Sequence, residues 1–206
     1  MELKDYFKII KKYVAFLIIF TLAVGAAAFL FSYYTPITYD ASISFAVNRI
    51  NKEKTSDYQY DGYYAIQASD LFSQTVVSWL ATPSVLLEIY DNAKIDPHIS
   101  SIDKFSSRFK TKKYSPQNIV VRFSERDRVT SEKIANSIQN VLSDKVSKLN
   151  QNPDNKALFE LAGSSPVIVE KKPELILITI IGLISGFIFA LLLIYIINYF
   201  KKEEPV

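Results

Sequence analysis

Two long, uncharged apolar runs near the ends of this chain constrain its fold more than any other feature. The first extends from Tyr13 to Tyr34 and the second from Leu175 to Phe200. At about 1.5 Å of helical rise per residue, each run can cross a hydrocarbon core about 30 Å thick. The sequence therefore predicts transmembrane helices at 13–34 and 175–200, with a folded domain at 35–174 between them.

Lysines beside the two runs predict the topology of the chain. Four of them precede the first run and two follow the second: Lys4, Lys8, Lys11, Lys12, Lys201 and Lys202. Because positively charged flanks stay on the cytoplasmic side, we expect both termini in the cytoplasm and the domain outside it. Residues 1–12 predict a cytoplasmic amphipathic helix at the membrane surface, and 201–206 a short cytoplasmic tail.

A cleaved signal peptide is the alternative for the first run, with Ala26 and Ala28 as the small residues of a cleavage site. The run continues through Phe31, which is longer than the apolar region of a signal peptide. We therefore expect the first run to remain as a transmembrane helix.

Composition excludes several classes of function. The chain has no cysteine, so disulfides and thiolate metal sites are absent, and its net charge is only +3, which does not indicate a nucleic-acid partner. The single histidine, His98, lies in a polar segment, and no calcium-binding loop, phosphate-binding glycine loop or nucleophile elbow occurs. We expect no cofactor and no enzymatic activity.

Hydrophobic periodicity predicts an α+β domain. Apolar residues that alternate with polar ones indicate strands near 39–47, 107–114 and 118–124 and in the extended stretch after 157. Apolar residues spaced three and four apart indicate helices near 62–80, 83–93 and 127–150. Thr82 is expected to cap the second of these helices, and Asp127 or Thr130 the third. The order predicts a small mixed sheet with helices on one face, whose first and last strands lie side by side because both connect to the membrane.

A basic cluster is the main candidate for a binding surface in the domain. Its side chains share one face of the predicted hairpin: Arg108, Lys110 and Lys112 on one strand and Arg122 on the other, with Arg126 and Arg128 just beyond. A solvated sheet face is the simpler interpretation. The functional interpretation is contact with an anionic glycan, a lipid pyrophosphate or lipid headgroups.

Small residues in the second apolar run predict close helix packing. Gly182 and Gly186 are four residues apart, and Ala190 follows on the same helical face. Small residues at this spacing let two helices approach closely, so we expect packing at this face, either within the chain or between chains. Pro36 and Pro173 mark the points where the chain leaves the first run and reaches the second.

The order of these segments resembles that of the Wzz-type chain-length determinants, the polysaccharide co-polymerases. The resemblance rests on LKDYFKIIKKY before the first run, on PITYDASISFAV after it, on LATPSVLLEIYDNA, on NIVVRFSERDRVTSEKIANSIQNVL, and on the proline before the second run. The domain is too short for the long periplasmic helix of Gram-negative members. It is more similar to the compact adaptors that accompany capsular kinases in Gram-positive bacteria.

This resemblance implies a non-catalytic protein of the bacterial plasma membrane that assembles into a homo-oligomeric ring. It would act with a membrane polysaccharide polymerase and control how many repeat units are added to a lipid-linked surface glycan. The alternative is an adaptor that binds or activates a separate cytoplasmic tyrosine autokinase. The segment after Phe200, KKEEPV, is shorter than the tail of such adaptors, and the absence of a Walker motif indicates that the chain is not itself the kinase.

Overall fold

The computed structural model describes residues 10–50, 61–150 and 158–202. Most of the predicted amphipathic segment 1–12 and of the tail 201–206 lies outside the described residues. The chain divides into two units, one holding the two apolar helices and the other the domain Thr38–Lys171. The elements follow in the order α1 (Val14–Tyr34), β1 (Thr38–Arg49), α2 (Asp61–Trp79), α3 (Pro83–Ala93), α4 (Ile102–Ser106), β2 (Lys110–Ser115), β3 (Asn118–Glu125), α5 (Arg128–Leu149), β4 (Phe159–Gly163), β5 (Val167–Lys171) and α6 (Leu175–Lys202).

The domain is built on a five-stranded sheet in which β1 is the longest strand. The order is β2-β3-β1-β4, and β5 also pairs with β1. Because β1 has 12 residues, one of its edges pairs with β5 over Thr38–Ser42 and with β4 over Phe45–Arg49. The predicted adjacency of the first and last strands is confirmed, since Thr38 lies opposite Lys171.

The prediction of a mixed sheet is wrong, because every strand pairing among the described residues is antiparallel. The predicted hairpin of β2 and β3 is formed, and β3 is the strand that lies against β1, with Ile43 opposite Val121. The hairpin therefore determines the direction of the strand beside β1.

One face of the sheet carries the core of the domain. Side chains of β1 are alternately buried and partly exposed, as the period of two predicts. The buried set packs with β3 and with the apolar faces of α2, α3 and α5, and includes Ile43, Phe45, Val47, Ile119, Val121, Val76, Leu86, Ile89, Ile138 and Leu142. In the described part of the chain the opposite face, which we call the open face, has no helix covering it and carries Ser42, Lys110, Lys112 and Arg122.

The predicted helix starts are correct, but one of the two predicted caps is not formed. Thr82 immediately precedes α3, yet its hydroxyl donates to the carbonyl of Ser78 at 2.8 Å and makes no cap bond. For α5 the sequence left Asp127 and Thr130 as possible caps, and in the structure Asp127 is the cap. Its Oδ2 accepts hydrogen bonds from the backbone N–H of Thr130 at 2.8 Å and from the Thr130 hydroxyl at 2.9 Å.

The Asp127 cap predicts a pH-dependent contribution to stability. The backbone N–H of Thr130 holds the pKa of Asp127 below its ordinary value, so the cap is fully stabilising above the unfolded-state carboxyl pKa of about 3.9 and is lost as pH falls through the lower folded value. We expect Asp127→Ala to lower the Tm of the full chain in detergent at pH 7, with the difference from wild type shrinking below about pH 4. Asp127→Asn, which keeps an acceptor, is the control; an equal deficit for Asn and Ala would contradict the cap.

Candidate functional site

The two apolar helices pack against each other through glycines. Gly182 of α6 faces Ala28 of α1 so closely that a Cβ on the glycine would overlap the Ala28 methyl group. A Cβ at Gly186 would lie 2.8 Å from the Cβ of Val24, closer than real Cβ contacts. Ala190 is fully buried. The structure thus places the three predicted small residues on the buried side of α6, with both glycines against the other helix of the same chain.

A third glycine, Gly25 of α1, takes part in this packing and was not predicted. A Cβ at this position would overlap the side chain of Leu183. The signal in the sequence was weak, because Gly25 is followed by three alanines and no glycine lies four residues away. Away from the contact, both helices expose large apolar side chains, such as Ile19 at 69% and Ile176 at 79%. By length and composition, α1 and α6 are helices that can cross a membrane.

Three of the predicted basic residues lie on the open face of the sheet. Lys110 of β2 is directly opposite Arg122 of β3, and Lys112 lies two residues further along β2. The Lys112 ammonium is 4.9 Å from the centroid of the Tyr114 ring, and Arg122 Nη2 donates to the Tyr114 hydroxyl at 3.3 Å. The hairpin therefore places like charges side by side around one tyrosine.

Arg108 was predicted to lie on the hairpin strand, and this is wrong because β2 begins at Lys110. The Arg108 guanidinium instead lies over the rings of Tyr90 and Phe105, at 5.3 and 5.2 Å from their centroids. Its Nη2 donates to the backbone carbonyl of His98 at 3.1 Å. The aromatic rings come from α3 and α4, so the position of Arg108 depends on tertiary contacts that strand periodicity does not report.

A groove of about 1190 Å³ collects most of these cations. It is lined by Arg108, Lys110 and Arg122 and also by Arg126 and Lys171, but Lys112 is not part of its wall. Arg126 comes directly after β3. Lys171 is the last residue of β5, and the sequence analysis did not associate Lys171 with the cluster. Of the six basic residues that the sequence placed in or just beyond the cluster, four line the groove, Lys112 and Arg128 do not, and Lys171 is the one addition.

The carboxylates of the groove are engaged by neighbours within the domain. Glu125 accepts a hydrogen bond from the hydroxyl of Tyr90 at 3.2 Å. Asp40 accepts one from Ser124 Oγ and lies 3.5 Å from Lys171 Nζ. Burial raises the pKa of the Tyr90 phenol, with the Arg108 guanidinium acting in the opposite direction, so Tyr90 remains a neutral hydrogen-bond donor at pH 7.

Neither a scan against protein-family models nor a search of curated proteins matched this chain. Within residues 10–50, 61–150 and 158–202, no group of three or more His, Asp or Glu side chains is placed to hold a metal ion. What the described surface offers is a concave, hydrogen-bonding groove with fixed guanidinium groups, which suits recognition of an anion.

His98 lies in the wall of this groove and is largely exposed. Its side chain is 84% exposed, and Nδ1 lies 3.5 Å from Asp96 Oδ1. The backbone N–H of His98 donates to the same carboxylate oxygen at 3.0 Å, and the residue adopts a φ of 44°, in the left-handed region. These contacts fix the carbonyl that holds Arg108, so the loop positions a cation of the groove.

Proposed function

We propose that this chain is a membrane-anchored, non-catalytic regulator of surface polysaccharide chain length in the bacterial plasma membrane. Both termini lie in the cytoplasm and the α+β domain lies outside it. Copies of the chain form a homo-oligomeric ring that acts with a membrane polysaccharide polymerase on a lipid-linked glycan. The domain offers a protein and glycan surface, and the helices offer the contacts within the membrane.

The observation that carries this proposal is the pairing of β1 with β5. These strands are the first and last of the domain, and each is followed or preceded within a few residues by an apolar helix. An α+β domain between two membrane-length helices is the order of segments on which the sequence resemblance rests, and the pairing of its terminal strands agrees with two ends that both lead to such helices. The paired glycine face of the helices supports the same proposal, because it gives the two anchors a defined packing.

The test is the length distribution of the surface polysaccharide, measured by gel electrophoresis, in cells that lack this gene. We expect the modal length to be lost and to return with the wild-type gene. Gly182→Leu/Gly186→Leu should fail to restore it, whereas Ala27→Leu, which introduces a leucine on an exposed side of α1, should succeed. An unchanged distribution in the deletion strain would contradict the proposal and favour the kinase adaptor, which co-purification with a tyrosine kinase would then establish.

A further inference from the structure

Four of the five cations that line the groove have no carboxylate partner among the described residues, and the fifth, Lys171, lies 3.5 Å from Asp40. Elsewhere in the described part of the domain some cations are paired, as Lys113 is with Asp70 at 2.7 Å and Lys145 with Glu88 at 2.6 Å, and others, such as Lys112, are not. In the groove, Arg108, Lys110, Arg122 and Arg126 have no carboxylate within 4.0 Å among the described residues. Four positive charges are thus left without a carboxylate partner along one concave surface.

Two of these charges oppose each other directly. Lys110 and Arg122 are partners in the antiparallel register of β2 and β3, where Cβ atoms are about 5 Å apart. Like charges at such positions destabilise a sheet. An anion bound between the two side chains would convert this repulsion into two attractive contacts.

Arg108 is already held in place for such a ligand. The bond to the His98 carbonyl and the rings of Tyr90 and Phe105 fix one face and one edge of its guanidinium. A fixed guanidinium loses little conformational entropy on binding, and its planar fork matches two oxygens of a phosphate. The aromatic contacts therefore prepare Arg108 for an oxyanion.

The carboxylates of the groove do not occupy these cations. Each of them accepts hydrogen bonds from, or pairs with, another neighbour: Asp40 with Ser124 and Lys171, Asp96 with the N–H of His98, Glu125 with Tyr90, and Asp127 with Thr130. These contacts help to hold the groove together. The cations that face the cavity remain available to a ligand.

We propose that this groove binds a phosphate or diphosphate group, through Arg108, Lys110 and Arg122. A volume of about 1190 Å³ exceeds what a diphosphate needs, so the remainder accommodates the molecule that carries the phosphate. Either a soluble phosphate ester or a phosphorylated lipid headgroup supplies this chemistry. The site is a property of the domain and does not depend on the control of polysaccharide length.

The test is calorimetric titration of inorganic pyrophosphate into the full chain in uncharged phosphatidylcholine nanodiscs, at about 0.1 M salt to screen diffuse attraction. We expect saturable binding that Lys110→Gln/Arg122→Gln weakens by about tenfold or more. Lys112→Gln/Lys133→Gln is the matched control, because it also removes two exposed positive charges of the domain, both outside the groove, and it should change the Kd by less than about twofold. All substituted side chains are exposed, and circular dichroism verifies that each variant is folded.

Two results would overturn the site. One is the absence of pyrophosphate binding to the wild-type chain, and the other is an equal loss in Lys112→Gln/Lys133→Gln and in Lys110→Gln/Arg122→Gln, which would indicate diffuse electrostatic attraction only. A second arm distinguishes the two sources of phosphate. If phosphatidic acid in the nanodisc competes with pyrophosphate, the ligand is a lipid headgroup; if it does not, the ligand is a soluble phosphate compound.

Discussion

Leucine at Gly182 is expected to separate the two apolar helices. A single Cβ at this position already overlaps Ala28, and a leucine adds three more carbons to the same contact. Overpacking of this kind costs about 1–3 kcal/mol, and the alternative is for the helix backbones to move apart. Membrane insertion itself should not suffer, because leucine is more apolar than glycine.

Cysteine crosslinking measures this separation cleanly, because the chain has no cysteine of its own. Gly25→Cys with Leu183→Cys places the Cβ atoms of two cysteines 3.9 Å apart at a close contact of α1 and α6, within the range of a disulfide. We expect oxidation to join them within one chain and Gly182→Leu to reduce the yield severalfold. Ala27→Leu, on an exposed side of α1, should leave the yield unchanged. A product that migrates as a covalent dimer would show instead that this contact forms between chains.

Phe45→Ala is expected to be the most destabilising single substitution in the domain. Phe45 lies at the centre of β1 with 1% of its surface exposed, in the core shared with the helices. Removing a buried phenylalanine side chain costs about 3–5 kcal/mol, because the cavity relaxes only partly. A loss of this size is comparable to the whole stability of many small domains, so Phe45→Ala should unfold at much lower denaturant concentration or fail to accumulate.

Chemical denaturation of the full chain in detergent, followed by circular dichroism, gives the measurement. Tyr114→Ala is the matched control, since it removes a ring of similar size from a side chain that is 52% exposed on the open face. We expect it to cost less than about 1 kcal/mol. Phe45→Leu should fall between the two. Equal midpoints for Phe45→Ala and Tyr114→Ala would show that the core does not lie on the face described.

Local patterns predicted the elements of this fold well. The alternation of Ile43, Phe45 and Val47 identified β1 and its buried face, and the apolar stripe that includes Ile138 and Leu142 identified α5. Both patterns show which side of the strand or helix is apolar. Because β1 and α5 each bury one side only, the apolar side is the buried side. Where periodicity is this strong, the secondary structure and the core residues can be predicted from short stretches of sequence.

The features that were missed depend on residues far away in the sequence. Sheet direction was mistaken because it is decided by the β2–β3 hairpin returning to β1, which no local pattern reports. Arg108 was assigned to a strand because its neighbours alternate, yet the rings of Tyr90 and Phe105 determine its position. Gly25 gave no spacing signal of its own, and its role follows only from the side chain of Leu183.

The shared edge of β1 has a consequence for how the domain is made. Ser44 and Ser164, which join this edge to the segment between β4 and β5, are 120 positions apart. At synthesis rates of about 5–20 residues per second, roughly 6–24 s pass between the appearance of one and of the other. Throughout that interval β1 has a free edge that can pair with any other extended chain. The strands that pair with this edge, β4 and β5, are therefore synthesised last, and β1 of a nascent chain can mispair until they are made.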